Sequence, residues 1–195
     1  MGRDRCVPDA EVSGVRGQGS GVFGLPAVFG GAFDPFHEGH RQLLLKSADR
    51  FQFKPYLIVP SGQPPHKAKA QDSDAQRVAL IQKALGPDPR FMISDIELIR
   101  PGPHYAIDTL RLLKARYAPQ SELVYVQGSD SVQGLESWRQ PEDILKEFLL
   151  LVLQRKGMPI FQPTALMQRY AERIFYVDLD LPEISSTQLR DLKNR

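Results

Sequence analysis

One short stretch of the sequence combines a glycine turn with two histidines three positions apart: Gly30-Gly31-Ala32-Phe33-Asp34-Pro35-Phe36-His37-Glu38-Gly39-His40. Glycines let backbone N–H groups come close to a polyphosphate, and the start of a helix favours negative charge. Positions i and i+3 share one helix face, so a helix that begins near Glu38 would let His37 and His40 contact the same ligand. The stretch therefore predicts a site for a nucleotide polyphosphate such as ATP, whose negative charge the imidazoles are expected to meet.

Two other interpretations of the histidine pair are open. In the first, one histidine only caps the helix and the other packs in the core; the glycine turn directly before them favours a ligand site instead. In the second, the pair binds zinc. Because no Cys or carboxylate lies at the usual ligand spacing, the pair alone is a weak zinc site, and no metal site is predicted.

A second stretch near the end of the chain also suits phosphate, namely Ile184-Ser185-Ser186-Thr187-Gln188-Leu189-Arg190. Ser185 and Ser186 are natural N-caps, Thr187 would begin a helix, and Arg190 would return its guanidinium toward the same helix end. Such an array fits the β- and γ-phosphates of ATP, although a capped terminal helix with a surface arginine would look the same. Together with residues 30–40, it predicts one cationic cradle formed by two distant segments.

The elements that must position these motifs follow from the pattern of apolar residues. Short apolar runs predict buried strands, and apolar positions at helical spacing predict helices. This alternation predicts a Rossmann-like α/β fold, a doubly wound parallel sheet in a single domain whose ligands bind at the carboxyl ends of the strands. The runs lie at residues 27–29, 56–59, 91–93, 123–126, 148–153 and 174–177, and the helices near residues 39–51, 73–85, 106–117, 141–146, 164–170 and 186–193.

Length, charge and cysteine content fit an enzyme that acts on small molecules. The chain has 195 residues and a formal net charge of +2, so bulk nucleic-acid binding is not expected. No apolar run reaches the roughly 18 residues of a membrane span. The single Cys6 favours a reducing cytoplasm. Residues 1–23 lack periodic apolar positions and predict a disordered extension before a folded domain of residues 24–195.

The motif of residues 30–40, Gly-Gly-x-Phe-Asp-Pro-x-His-x-Gly-His, is similar to the opening motif of bacterial nicotinate-nucleotide adenylyltransferases, in the HxGH nucleotidyltransferase superfamily. Further segments resemble the family, among them a Pro-Pro-His-Lys loop that ends at Lys67. The resemblance implies that residues 24–195 are a nucleotidyltransferase domain, which transfers the adenylyl group of ATP to nicotinate mononucleotide. The products would be deamido-NAD and pyrophosphate, in NAD biosynthesis, with Mg²⁺ carried by ATP. Whether the chain forms a homo-oligomer is left open.

The resemblance also implies roles for individual residues. Arg77 and Arg155 match family positions, although Arg77 alone would be a surface charge. The implied catalytic residues are His37, His40 and Arg190; the implied ATP-binding residues are Gly30, Gly31, Phe33, Gly128, Asp130, Ser185, Ser186, Thr187 and Arg190; the implied mononucleotide-binding residues are Ala32, His66, Lys67, Tyr105, Thr109 and Trp138.

Three positions depart from the family pattern. His104 stands where Ser is common and Ala106 where Thr is common, so a hydroxyl beside the pyridine substituent is missing. Discrimination between an acid and an amide is therefore open, although backbone N–H groups or His104 itself could replace the lost donor. Gln127 stands where a small or apolar residue is usual, which puts the fine geometry in question.

Several alternatives remain. The acceptor could be nicotinamide mononucleotide or another phosphorylated metabolite, since pantetheine-phosphate and glycerol-phosphate nucleotidyltransferases share the histidine pair. The chain could also be a non-catalytic nucleotide-binding module. An aminoacyl-tRNA synthetase has a related motif, but this chain lacks the length and a basic face for tRNA.

Overall fold

A parallel sheet with helices on both faces forms the protein in the computed structural model, which describes residues 19–62, 70–155 and 161–180. Within these residues the strands are β1 (Ala27–Gly31), β2 (Tyr56–Pro60), β3 (Phe91–Ile93), β4 (Val124–Gly128), β5 (Leu149–Arg155) and β6 (Ile174–Leu179). The helices are α1 (Glu38–Phe51), α2 (Asp74–Leu85), α3 (Ala106–Tyr117), α4 (Ser129–Val132), α5 (Pro141–Glu147) and α6 (Ala165–Arg169).

The strand order is β3-β2-β1-β4-β5-β6, and every pair is parallel. The chain winds outward from β1 in one direction and from β4 in the other, so the order reverses between these two central strands. Ligands of such sheets bind in the crevice beyond the carboxyl ends of the strands at this reversal. The turn after β1 and the start of α4 after β4 both lie at that edge.

Apolar layers on the two faces of the sheet explain why the strands are continuous hydrophobic runs. Neighbouring residues of β1 point to opposite faces, so Val28 packs into one layer and Phe29 into the other. Leu44 of α1 and Ile81 of α2 cover the Phe29 face, and Leu110 of α3 is among the residues that cover the Val28 face. The predicted Rossmann-like α/β fold is therefore confirmed.

The boundaries predicted from periodicity agree closely with the structure. The predicted helix 39–51 is Glu38–Phe51, and the helix predicted at residues 106–117 is Ala106–Tyr117. The predicted helix 186–193 lies outside the described residues. In the part of the chain that the structure describes, no helix is both long and apolar enough to cross a membrane.

The predicted extension needs a correction at its C-terminal end. Residues Gly19–Val22 form a short 3₁₀ turn, and Val22 is fully buried in the layer that contains Phe29. The backbone N–H of Gly24 donates to the carbonyl of Phe51 at 2.8 Å. The folded part of the chain therefore begins before residue 24. Periodicity could not predict this, because a single apolar side chain in a glycine-rich segment gives no repeating pattern. Residues 1–18 lie outside the described part of the chain.

Shortening Val22 tests this correction. We expect Val22→Ala to lower the free energy of unfolding by ~1–3 kcal/mol, because it leaves a cavity in a packed layer. The neighbouring Phe23 is 58% exposed, so Phe23→Ala is the matched control and should change stability by less than ~0.5 kcal/mol. Urea unfolding measures both variants. Equal small effects would place Val22 outside the folded core.

Candidate active site

The two histidines of the opening motif lie face to face at the start of α1. His37 is the N-cap, with extended backbone (φ −140°, ψ 172°), and His40 is in the first turn. Their rings stack with centroids 3.8 Å apart and an angle of 25° between the planes. The spacing therefore brings both imidazoles to one place, at the edge of the sheet where ligands bind.

A backbone hydrogen bond fixes the tautomer of His40. The N–H of His37 donates to Nδ1 of His40 at 3.4 Å. His40 is the third residue of the helix, so it takes the place of the glutamine or glutamate that accepts this bond in a capping box. Because Nδ1 accepts, a neutral His40 ring carries its proton on Nε2. Nε2 is thereby the hydrogen-bond donor that His40 can offer to a ligand.

Aromatic side chains surround His40 and keep it uncharged. Its ring centroid lies 5.2 Å from that of Phe33 and 5.4 Å from that of Phe36. This burial, together with the nearby charge of His37, lowers the pKa of His40 to about 3. Burial also lowers the pKa of His37, and the charge of Arg155 at the end of β5 lowers it further. Near neutral pH both rings are therefore neutral, so they can meet a phosphate as hydrogen-bond donors.

The glycine turn owes its shape to close contacts around Phe33. Phe33 is buried and has a positive φ of 49°. A Cβ on Gly31 would lie 2.9 Å from Cε1 of Phe33, so only glycine fits there. Gln127, buried at the end of β4, donates its amide to the carbonyl of Gly30 at 3.3 Å. The unusual Gln127 thus ties the turn to the neighbouring strand.

Arg77 supports the same turn from α2. It is 1% exposed, its Nη1 donates to the carbonyl of Ala32 at 2.6 Å, and its Nη2 pairs with Asp74 at 2.7 Å. Taken alone, the sequence suggested a surface charge here, and that expectation is wrong. Its spacing could have indicated burial, because Arg77 lies four residues before Ile81, the other buried residue of α2, and so on the same face of the helix.

At the carboxyl end of β4, Gly128 leaves room for the side chain of Asp130. A Cβ on Gly128 would lie 2.6 Å from Oδ1 of Asp130, so the carboxylate stands directly over this residue. Asp130 is exposed in the first turn of α4. Its carboxylate is therefore accessible at the edge of the sheet that also holds the glycine turn.

The start of α3 contains a polar network that sequence reasoning missed. Thr109 is buried, and its hydroxyl donates to Oε1 of Glu97 at 2.7 Å. Nε2 of His104 bonds the carbonyl of Arg100 at 3.1 Å, and its Nδ1 lies 3.4 Å from Nη2 of Arg100. Both ring nitrogens of His104 are used within the protein, so His104 does not replace the hydroxyl that Ala106 lacks. No pattern of spacing pointed to Glu97.

Tyr105 and Trp138 lie on the same face of the sheet as α3. Tyr105 is the N-cap of α3, and the guanidinium of Arg139 lies 4.6 Å from its ring centroid. Trp138 packs edge-on against Tyr125, with centroids 6.1 Å apart. Both are only partly buried, which leaves aromatic surface and an exposed cation for a ligand.

Six of the predicted site residues lie outside the described part of the chain: His66, Lys67, Ser185, Ser186, Thr187 and Arg190. Their roles remain predictions. Lys46 of α1 donates to the carbonyl of Asp180, so the last described residue after β6 is held against α1. Within the described residues, no group of three or more His, Cys, Asp or Glu side chains is placed to hold a metal ion.

The burial of His40 predicts a loss of stability in acid. In the unfolded chain its pKa is near 6.5, whereas in the folded protein it is about 3. Between these values only the unfolded state binds the proton, so the free energy of unfolding should fall by up to ~1.4 kcal/mol per pH unit as the pH decreases. His40→Gln keeps an acceptor for the His37 N–H and removes this proton. Urea unfolding between about pH 6.5 and about pH 5 should show a shallower decline for the variant, and equal declines would contradict the buried neutral state.

Comparisons with known proteins agree with this geometry. The family model of cytidylyltransferase-like proteins matches residues 28–192. A probable nicotinate-nucleotide adenylyltransferase of Thermomicrobium roseum is 36% identical, and the match covers 84% of this chain and 77% of the relative. A probable nicotinate-nucleotide adenylyltransferase of Acidothermus cellulolyticus is 34% identical, and the match covers 84% of this chain and 80% of the relative. A similar fold is found in the structure of Plasmodium falciparum nicotinic acid mononucleotide adenylyltransferase complexed with NaAD, with a TM-score of 0.71 and 17% sequence identity. The match covers 86% of this chain and 82% of the Plasmodium falciparum chain. The chain belongs to the cytidylyltransferase-like family and, within it, to the nicotinate-nucleotide adenylyltransferases.

Proposed function

We propose that this protein transfers the adenylyl group of ATP to nicotinate mononucleotide, which yields deamido-NAD and pyrophosphate. The observation that carries the proposal is the stacked pair of His37 and His40 beside the glycine turn, at the edge of the sheet where the strand order reverses. The Plasmodium falciparum enzyme of similar fold is known in complex with NaAD, the product that this reaction would form. The reaction belongs to NAD biosynthesis, and we place it in the cytoplasm.

ATP would lie with its phosphates against the glycine turn and the first turn of α1. Backbone N–H groups near the glycine turn and the positive end of the helix favour a polyphosphate. The exposed Asp130 after β4 would accept a hydrogen bond from the ribose or adenine. Mg²⁺ would arrive as part of the substrate Mg-ATP, bound mainly by phosphate oxygens.

The reaction needs no nucleophile from the protein. The phosphate of the mononucleotide attacks the α-phosphorus of ATP in line, one P–O bond forms, and the bond to the leaving pyrophosphate breaks. This phosphate is largely dianionic near neutral pH, since its second pKa is about 6, so a general base has little to do. The protein must instead hold two anions together and stabilise the charge of the transition state.

His40 would act in this reaction as a neutral hydrogen-bond donor. The bond at Nδ1 leaves the proton on Nε2, and we assign this donor to the charge that develops on the α-phosphate. Because its pKa is about 3, the ring is neutral at neutral pH, and the hydrogen bond at Nδ1 favours the tautomer with the proton on Nε2. We assign the positive charge that opposes the phosphates to Arg155, to Lys67 and Arg190, and to the Mg²⁺ of the substrate.

The pyridine ring of the acceptor would pack near Trp138 and Tyr105. The charge of Arg139, 4.6 Å from the Tyr105 ring, favours the carboxylate of nicotinate over the neutral amide of nicotinamide. This contact would compensate for the missing hydroxyl at Ala106, since both nitrogens of His104 are used internally.

Release of pyrophosphate tests the proposal. We expect release from Mg-ATP with nicotinate mononucleotide, and slower release with nicotinamide mononucleotide. A faster reaction with the amide would reassign the acceptor. Binding of ATP without any release of pyrophosphate would instead support a non-catalytic nucleotide-binding module.

Removal of the His40 side chain should reduce turnover strongly. One lost donor to a transition-state charge costs ~3–4 kcal/mol, so kcat of His40→Ala should fall by ~10²–10³. Far-ultraviolet circular dichroism should match the wild type. Near-normal kcat in a folded variant would exclude His40 from the mechanism.

Arg139 should contribute to the choice of acceptor. We expect Arg139→Gln to lower the ratio of kcat/KM for the acid over the amide by several-fold, equivalent to ~0.5–1 kcal/mol for an exposed charge. Arg116 lies over Tyr117 in a similar contact at the other end of α3, so Arg116→Gln is the matched control. If the control changes the ratio as much, the effect is one of overall charge.

A further inference from the structure

Asp34 of the glycine turn holds the chain just before α2. This carboxylate is 7% exposed, its Oδ2 accepts from the backbone N–H of Gln71 at 2.9 Å, and its Oδ1 accepts from that of Asp72 at 3.0 Å. Arg77 in α2 donates back to the carbonyl of Ala32 in the same turn. The turn and the start of α2 are therefore joined in both directions.

Glu97 holds the chain just after β2 in a similar way. Its Oε2 accepts from the backbone N–H of Gly62 at 3.1 Å, while its Oε1 accepts from the hydroxyl of Thr109 in α3. A Cβ on Gly62 would lie 2.6 Å from Cδ2 of His104, so the chain passes too close for any side chain. Burial, and secondarily the charge of Glu97, raises the pKa of Tyr125, on which Trp138 packs. Glu97 thus connects Gly62 to the side of the site proposed for the pyridine.

We propose that Asp34 and Glu97 are positioning residues of the adenylyl transfer. They fix the chain at residue 62 and at residues 71–72, and so fix the position of the glycine turn relative to the start of α3. The kinetic part of this inference rests on the proposed function. Glu97 also bonds Thr109 in α3, whose N-cap Tyr105 lies beside the proposed pyridine site, so we expect the effect on the mononucleotide.

Carboxylates are suited to this role because each offers two acceptor oxygens to two donors at once. In Asp34→Asn the side-chain amide would face one of the two backbone N–H groups as a second donor. In Glu97→Gln it would face either Gly62 or Thr109. These substitutions keep size and shape, so they disturb the hydrogen bonds of the carboxylate and leave the packing in place.

Hydrogen exchange tests the anchoring without reference to activity. In Asp34→Asn the amide of Gln71 or of Asp72, whichever the new side-chain amide faces, should exchange ~tenfold faster or more, with the amide of Gly62 unchanged. In Glu97→Gln the amide of Gly62 should exchange faster, with those of Gln71 and Asp72 unchanged. The matched controls are Asp49→Asn and Glu147→Gln, an exposed and a half-buried carboxylate that pair with Arg90 and Arg111. Unchanged exchange at these amides would overturn the proposal.

Steady-state kinetics test the positioning role. We expect both variants to raise KM for nicotinate mononucleotide by ~tenfold with a smaller change in kcat, and Glu97→Gln to leave KM for ATP within ~twofold. Faster amide exchange with an unchanged KM for nicotinate mononucleotide would show that the two residues have only a structural role, and would overturn the proposal. If the wild type makes no pyrophosphate, the proposed function fails, and exchange alone then decides the anchoring. If Asp34→Asn does not fold, Glu97→Gln carries both measurements.

Discussion

Burial of the His40 ring is the constraint on which the site depends. Phe33 and Phe36 enclose the ring, and the backbone N–H of His37 occupies its Nδ1. A charged imidazole would be costly in this position, so the ring remains neutral and keeps its proton on Nε2. The result is a donor of fixed direction, which costs no reorganisation when charge develops on a phosphate.

The parallel sheet supplies the framework for this donor. Because all strands run in the same direction, the turn after β1 and the start of α4 after β4 lie at one edge. Hydrogen bonds across the sheet then refine the placement. Gln127 at the end of β4 holds the carbonyl of Gly30, and Arg77 from α2 holds that of Ala32. The glycine turn is therefore fixed by groups from a neighbouring strand and a neighbouring helix as well as by its own residues.

Internal use of polar groups shapes the acceptor side of the site. The hydroxyl of Thr109 serves Glu97, and both nitrogens of His104 serve Arg100. Buried polar groups that are satisfied in this way rigidify a structure and are unavailable to a ligand. Ala106 has no hydroxyl to offer the pyridine substituent, so the proposed recognition of that substituent depends on other contacts. Arg139 beside Tyr105 is the exposed cation that we assign to it.

The sequence alone determined the order and limits of most elements, the parallel sheet and the pairing of His37 with His40. These features depend on local periodicity and on spacing within one helical turn, which neighbouring residues encode directly. Only the tertiary structure decided that Arg77 is buried, that Glu97 joins Gly62 to Thr109, that Val22 packs in the core, and that His40 is neutral. Each of these four features depends on which distant segments of the chain meet. Burial and hydrogen-bond partners shift the pKa of a group or hold its charge in place. No local pattern in the sequence specifies which groups become buried or which partners they find.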